Sequence, residues 1–484
     1  MGAIPTVVRR SSRFVAILLA GLLAPAGIAV RGAEAAPEDP PPAGGAVSDP
    51  SSGADLRALI EQNRRLQKQV DAQQRAIEAL SAQVAALASA SRGHADDVAV
   101  SPPSAPSRVG VAPQQPDPSQ SPPVASSAES AAGSGTPVRI SGLFGAGFFK
   151  TGSDGEFSNG DFRVDDAKLF VEAAVAQDIY LDAELDLITR EESGTSASFG
   201  EIYATFENIS GRWGLDRLLN ARVGRFYIPF GEEYQVRGVM DNPLISHSLS
   251  DLWGFDQGVE IYGQSGGFSY VAAIQDGGIN PLGRSGSDKA FTSRIGYDPA
   301  SWLHLSASAM RTGSLNPTYD SVSALWFANG FFHSLGSPAT TSSFHANLGE
   351  VDASAHWRGT QLKAAAGIVG FNDNAPKGGD ARRIEYGYLE ARHALSDSLY
   401  GAVRLSAIRA PGGYPLAGQG IASEYAFGNI LTTRLERASF GLGYQIAPPV
   451  LLKIDYSPEW GSTSTPGENR DTEDFFATEI ALRF

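Results

Sequence analysis

Residues 163–188 read RVDDAKLFVEAAVAQDIYLDAELDLI. Ala167, Leu169, Val171, Ala173 and Val175 fall on one side of an extended strand, and Asp166, Lys168 and Glu172 fall on the other. After AQD the pattern restarts: Ile179, Leu181, Ala183, Leu185 and Leu187 oppose Asp182, Glu184 and Asp186. Strict alternation is the mark of a strand with one apolar and one polar face. EIYATFE at 201–207 repeats it, and so do Val450, Leu452, Ile454 and Tyr456 against Lys453 and Asp455.

Extended along the chain, the pattern predicts about sixteen strands between residues 137 and 484, several of about ten residues, enough to span a bilayer when tilted. The predicted connections alternate. Those after even strands are mostly a few residues, such as SGG, DPA and RGT. Those after odd strands are long: 151–161, 191–197, 228–255, 277–288, 312–347, 372–381, 410–433 and 458–473. Tight turns at one end and long loops at the other predict an all-β fold, a 16-stranded antiparallel transmembrane β-barrel. A sandwich would not need sixteen strands in one run, and a solenoid would show a fixed repeat.

The rest of the chain has a different grammar. Arg9, Arg10 and Arg13 precede the apolar run FVAILLAGLLAPAGIAV and the small-residue site Ala33–Ala35, which predicts a signal peptide over 1–35. Residues 36–54 and 90–136 are rich in Pro, Ala, Gly and Ser and predict disordered segments. Between them, residues 55–89 carry a heptad seam: Val70, Ile77 and Val84 at a, and Leu59, Leu66, Leu80 and Leu87 at d. That predicts a periplasmic coiled coil about 50 Å long. Its a and d residues lean towards a dimer, with Asn63 fixing register. A tethered rod of this kind opens a second class of function, an envelope tether that contacts peptidoglycan.

Net charge is −15 and no cysteine is present. The first argues against nucleic acid as a partner. The second excludes disulfides and thiol chemistry. The seven histidines show no metal-ligand spacing, so neither a metal nor any other cofactor is expected, and no enzymatic activity.

RVGRFYIPFGEE, residues 222–233, carries a resemblance. Gly224, Arg225, Phe226, Pro229, Phe230, Gly231 and Glu233 fit the signature of the phosphate-selective porin O/P family of bacterial outer-membrane porins. The resemblance implies an outer-membrane location and homotrimers of 16-stranded barrels. It also implies that the third long loop, here 228–255, folds into the lumen as a constriction. The closing pattern Phe476, Ile480, Leu482 and Phe484 resembles the C-terminal signal read by the barrel-assembly machinery.

For the lumen, the alternation predicts a basic set: Lys168, Arg222, Arg294, Arg358, Lys363, Arg404 and Lys453, with Arg225 turned inward at a strand end. Such a ladder could replace the hydration of an anion. Carboxylates share the same face, and from residue 137 on the sequence holds 27 Lys and Arg against 41 Asp and Glu. The constriction loop carries Glu232, Glu233, Asp241 and Asp251 against Arg237, and no lysine. Phosphate selectivity in the family depends on a lysine-rich constriction. The expectation is therefore a water-filled diffusion channel for small hydrophilic solutes or ions, with an anion or phosphate channel as the alternative.

Overall fold

Strand formation follows the alternation, because β-branched and aromatic residues on one face favour a pleated chain. The computed structural model describes residues 138–190, 197–277, 288–314, 344–371, 382–414, 416 and 430–484. The predicted signal peptide, coiled coil and both Pro-rich segments lie outside the described residues.

The first eight strands are β1 Val138–Thr151, β2 Asp161–Ala176, β3 Ile179–Ile188, β4 Ser198–Phe206, β5 Asn220–Tyr227, β6 Phe255–Ser265, β7 Phe268–Gln275 and β8 Ala290–Ala300. Then come β9 Leu303–Arg311, β10 Ala346–Trp357, β11 Thr360–Phe371, β12 Arg382–Ala394, β13 Leu399–Tyr414, β14 Thr432–Ala447 and β15 Val450–Ser457. The chain ends with β16 Glu459–Thr463, β17 Asn469–Arg470 and β18 Phe475–Arg483. Neighbours pair antiparallel throughout. β18 pairs with both β15 and β1, in register from Leu143↔Arg483 to Thr151↔Phe475, so the sheet closes on itself without an edge.

Sixteen staves make the wall. β16 continues β15 past Pro458, and β17 pairs with β16 in a small outer hairpin. The sequence reading placed 458–473 in a loop. Ladder bonding to the far end of β14 extends the strand there instead. β13 likewise runs to Tyr414, through Gly412 and Gly413, rather than ending near 409. Tight turns sit at one end. Gly266–Gly267 and Arg358–Gly359 have positive φ at both positions, as two-residue hairpin turns require. This corrects Arg358: it is a turn residue with φ 46, exposed, lying 5.1 Å over the Trp357 ring, and not a strand residue facing the bore.

The two faces are inverted relative to a water-soluble protein. On β15, Leu452, Ile454 and Tyr456 are 44, 42 and 48% exposed, while Lys453 and Asp455 are 2 and 0% exposed. Phe476, Ile480 and Phe484 also face outward. Outward aromatics gather at the short-turn rim (Phe268 stacked on Tyr297 at 4.4 Å, with Trp302, Trp357 and Tyr444) and at the other rim (Phe162, Phe291 and Trp460). An exterior of this kind suits hydrocarbon bounded by two interfaces. Among the described residues no helix is long and apolar enough to cross a membrane.

The interior is not the uniform aqueous bore that the alternation predicts. Towards the long-loop end of β8–β14 the inward residues turn apolar. Met310, Leu348, Val369, Phe371, Ile384, Ile408 and Leu435 pack with Ile228, Phe230, Leu249 and Leu252 of the loop between β5 and β6. Side chains that alternation assigns to water are there buried against a piece of the same chain.

Candidate functional site

The loop 228–254 is built by the motif that precedes it. Gly224, at φ 142, lies so close to β4 that an added Cβ would sit 2.4 Å from the Ile202 carbonyl oxygen. Gly231 is constrained by its backbone instead, because φ 66 is a conformation that strains any L side chain. Only glycine fits either position. The turn at Gly231 is fixed from the wall. Its N–H donates to Ser308 Oγ (3.1 Å) and its carbonyl accepts from the Arg294 guanidinium. Ile228 and Phe230 enter the apolar core on the way.

The chain then reaches β13–β15. There Asp455 Oδ2 accepts the Ile245 and Ser246 N–H groups at 2.9 and 2.7 Å. Tyr400 OH donates to the Pro243 carbonyl (3.1 Å). Ser246 Oγ joins Ser439 and Ser457 hydroxyls at 2.9 and 3.0 Å. Carbonyls at the tip are met by cations. Lys453 Nζ donates to Val239 O (2.8 Å) and Leu244 O (3.1 Å). Arg404 donates to Ser246 O (2.8 Å) and Asn242 Oδ1 (2.9 Å). Arg437 donates to His247 O (3.0 Å) and Arg190 to Ile245 O (2.5 Å). Each of the four cations also holds a wall carboxylate: Glu479, Glu390, Glu459 and Asp165 in the same order. A buried loop must have its peptide groups hydrogen-bonded, and these wall groups do that.

Of the basic set read from sequence, Arg404, Lys453 and Arg294 are therefore loop anchors. Lys168 lies between Glu184 (2.7 Å) and Asp186 (3.2 Å), and Arg222 pairs with Glu260 (3.1 Å) over the Tyr203 ring (4.4 Å). Arg225 donates to the Phe199 and Gly200 carbonyls at 3.3 and 2.8 Å and covers Phe255. β5 runs without a register shift and the next residue, Phe226, is buried inward with Tyr203, so Arg225 keeps the opposite parity and is not turned inward as expected. Lys363 lies half-buried on β11. Reading the sequence alone missed Arg190, Arg437 and Asp455 as anchors. Their charge on an inward position was visible, but the loop they meet is more than fifty residues away in sequence.

The loop's own charges are also paired. Glu232 meets His304 Nε2 at 2.8 Å, and His304 Nδ1 meets Asp298 at 2.6 Å. Arg237 and His247 both contact Asp251, at 3.1 and 2.8 Å, and Arg237 stacks 4.2 Å over Trp253. Asp241 meets Arg483 at 2.7 Å. Burial opposes charge on Asp251, but Arg237 and His247 hold its carboxyl far below the usual range. Burial, aided by Arg190 and Arg237, lowers His247. Burial pushes Glu233, which accepts from Ser248 N–H and Oγ at 3.1 and 2.6 Å, up to about 7.

Away from the Asp165–Arg190 contact, the inward face of β2–β6 is acidic. Glu172, Asp182, Glu184, Asp186, Glu201 and Glu260 outnumber Lys168 and Arg222 there. Among the described residues no cluster suited to hold a metal ion occurs.

No family model and no curated protein matches the sequence. Solved structures with a similar chain path include the outer membrane channel DcaP of Acinetobacter baumannii (12% identity, 72% of this chain and 98% of that one, TM-score 0.49). OprB of Pseudomonas putida is similar at 10% identity, 72 and 94% coverage and a TM-score of 0.46. The trimer form of OmpT, an outer membrane protein of Vibrio cholerae, is similar at 10%, 72 and 99% coverage and 0.45. At such identities and scores these are likenesses in chain path and nothing more.

Proposed function

We propose that this protein is an outer-membrane porin, a diffusion channel for small hydrophilic solutes and ions with no bias towards phosphate. A closed barrel with an apolar exterior and a charged interior supports the membrane location. The loop folded across the interior supports a constricted path beside the β2–β6 wall.

One observation carries the choice against an anion channel. Arg190, Arg404, Arg437 and Lys453 each hold a loop carbonyl and a wall carboxylate, so their donors are occupied before any solute enters. An anion would have to replace interactions inside a buried network, at a cost of several kcal/mol. Carboxylates in excess on β2–β6 then bias entry towards cations.

Planar-bilayer recording in asymmetric KCl tests this. The reversal potential is expected on the potassium side, with no block on phosphate titration. Chloride preference with block at low phosphate would decide for the alternative. The homotrimer and the recognition of Phe476, Ile480, Leu482 and Phe484 by the assembly machinery belong to the same proposal. Unheated gel electrophoresis of the refolded and of the membrane-extracted protein checks the trimer.

A further inference from the structure

Arg470 lies on β17, in the outer hairpin beyond the long-loop end of the wall, yet it is only 1% exposed between the exposed Asn469 and Asp471. Its guanidinium ties several segments together. Nε donates to Glu473 Oε2 (2.7 Å), and Nη1 donates to the Leu416 carbonyl (2.8 Å) and to Thr432 Oγ1 (2.7 Å). Nη2 faces Glu459 Oε1 at 3.7 Å. Glu459 and Glu473 are buried as deeply as Arg470. A buried ion pair gains little stability over apolar groups of the same volume, so stability alone gives no reason for this one.

Glu459 connects Arg470 to the constriction loop. It is the cross-strand partner of Arg437, whose Nε and Nη2 donate to Glu459 Oε2 at 2.9 and 2.6 Å. The remaining nitrogen of Arg437, Nη1, donates to the His247 carbonyl at the loop tip (3.0 Å). Side chains thus run without a break from the outer hairpin to the loop: Arg470, Glu459, Arg437, His247. The outer end of this series is clamped. Glu459 N–H donates to Asp474 Oδ1 (2.9 Å), Gly152 N–H to the Asp474 carbonyl (2.9 Å) and Asp154 N–H to the Thr472 carbonyl (3.3 Å).

Resting on the reading of the protein as a channel narrowed by the loop 228–254, we propose that Arg470 is a positioning residue for that constriction, acting through Glu459 and Arg437. Glu459 stands between two guanidiniums, one carboxylate oxygen towards each. Held on both sides, it fixes the plane of the Arg437 fork, and that plane aims Nη1 at the His247 carbonyl. With Arg470 gone, Glu459 can turn, the Arg437 fork turns with it, and the loop tip loses one of its holds. The width of the path is then set in part from outside the bore, by a residue of the external hairpin.

Single-channel recording of the full chain tests this, read as the rate of excursions above the main conductance level. The informative variant is Arg470→Gln with Glu473→Gln, which removes the cation together with its nearest carboxylate and leaves neither buried alone. Its excursion rate should rise about threefold, near the low end of couplings within one ion-pair network, because Arg404 and Lys453 hold the tip independently. Arg470→Lys keeps a cation beside Glu459 and should restore most of the wild-type behaviour. Arg434→Gln, in an exposed pair on the same strand as Arg437, should change nothing. Once Arg437→Gln has cut the series, adding the Arg470 and Glu473 changes should raise the rate little further. A wild-type excursion rate in the paired variant overturns the proposal, even with a lowered urea midpoint, since that is what a merely structural role would give. Effects that multiply with Arg437→Gln overturn it too. If the paired variant does not assemble, Glu459→Gln decides: it breaks the middle of the series, and an unchanged rate overturns the proposal. No current from inserted, heat-modifiable wild-type protein overturns the channel reading, and this proposal with it.

Discussion

The wall of β13–β15 and the wall of β2–β6 carry the same kinds of side chain on the same inward face, and use them differently. On β13–β15, Arg404, Arg437, Lys453 and Asp455 are nearly inaccessible and hold the peptide groups of residues 239–247. On β2–β6, Lys168 and Arg222 bond to neighbouring wall carboxylates or rings, and Glu172 and Asp182 remain half-exposed. The first wall is cemented to the loop at every one of these charges, whereas the second holds it at its long-loop end, through Asp165 and Arg190, and leaves Glu172 and Asp182 half-exposed. An inward charge in a barrel is therefore not by itself a solute contact.

The largest test of this contrast removes an anchor. Lys453→Met leaves the Glu479 carboxylate and two loop carbonyls without their cation, and should cost about 3–5 kcal/mol of stability, read as a lowered urea midpoint. The loop should also loosen, with single-channel conductance rising and becoming noisy. If midpoint and conductance both stay put, the loop is not held by this wall. Gly231→Val comes next: a β-branched residue is strained at φ 66, so the loop entry must shift, with a loss of about 1–3 kcal/mol for an unfavourable backbone region, measured the same way.

Neutralising the half-exposed carboxylates of the other wall should leave stability nearly intact and move selectivity. Glu172→Gln with Asp182→Asn is expected to bring the reversal potential in asymmetric KCl towards zero. A potential that does not change would place the ion path elsewhere.

A smaller effect concerns pH. Burial holds Glu233 near 7, above its unfolded value. A raised acid contributes stability in full below its unfolded pKa, and loses it as pH rises through the folded one. Loop protection in hydrogen exchange at Ile245 and Ser246 should thus weaken between about pH 4.5 and 7.5. Glu233→Gln keeps an acceptor for Ser248 and should flatten that dependence. Smallest of all is Arg358→Ala in the exposed turn, which should stay within about 0.5 kcal/mol and leave selectivity unchanged.

Much of this was legible in residue order. The period of two placed Leu181, Leu452, Ile454 and Phe476 outside and Glu184, Arg404 and Lys453 inside, because side chains on a strand alternate without exception where no bulge intervenes. Turn residues and loop lengths told which end was which. RVGRFYIPFGEE marked where the chain turns inward, since a Cβ at Gly224 would meet the β4 backbone and Gly231 takes a φ of 66.

Residue order could not say what each inward side chain meets. Alternation is a local property of one strand, whereas the contacts of Lys453 with Val239 and Leu244 bridge more than two hundred residues and exist only once the barrel has closed. Tertiary structure alone decided that Arg404 and Lys453 are anchors, and that the interior beside β8–β14 is apolar and packed. The physical reason is that a strand's sequence fixes a direction for each side chain, and only closure and loop entry fix the partner waiting there.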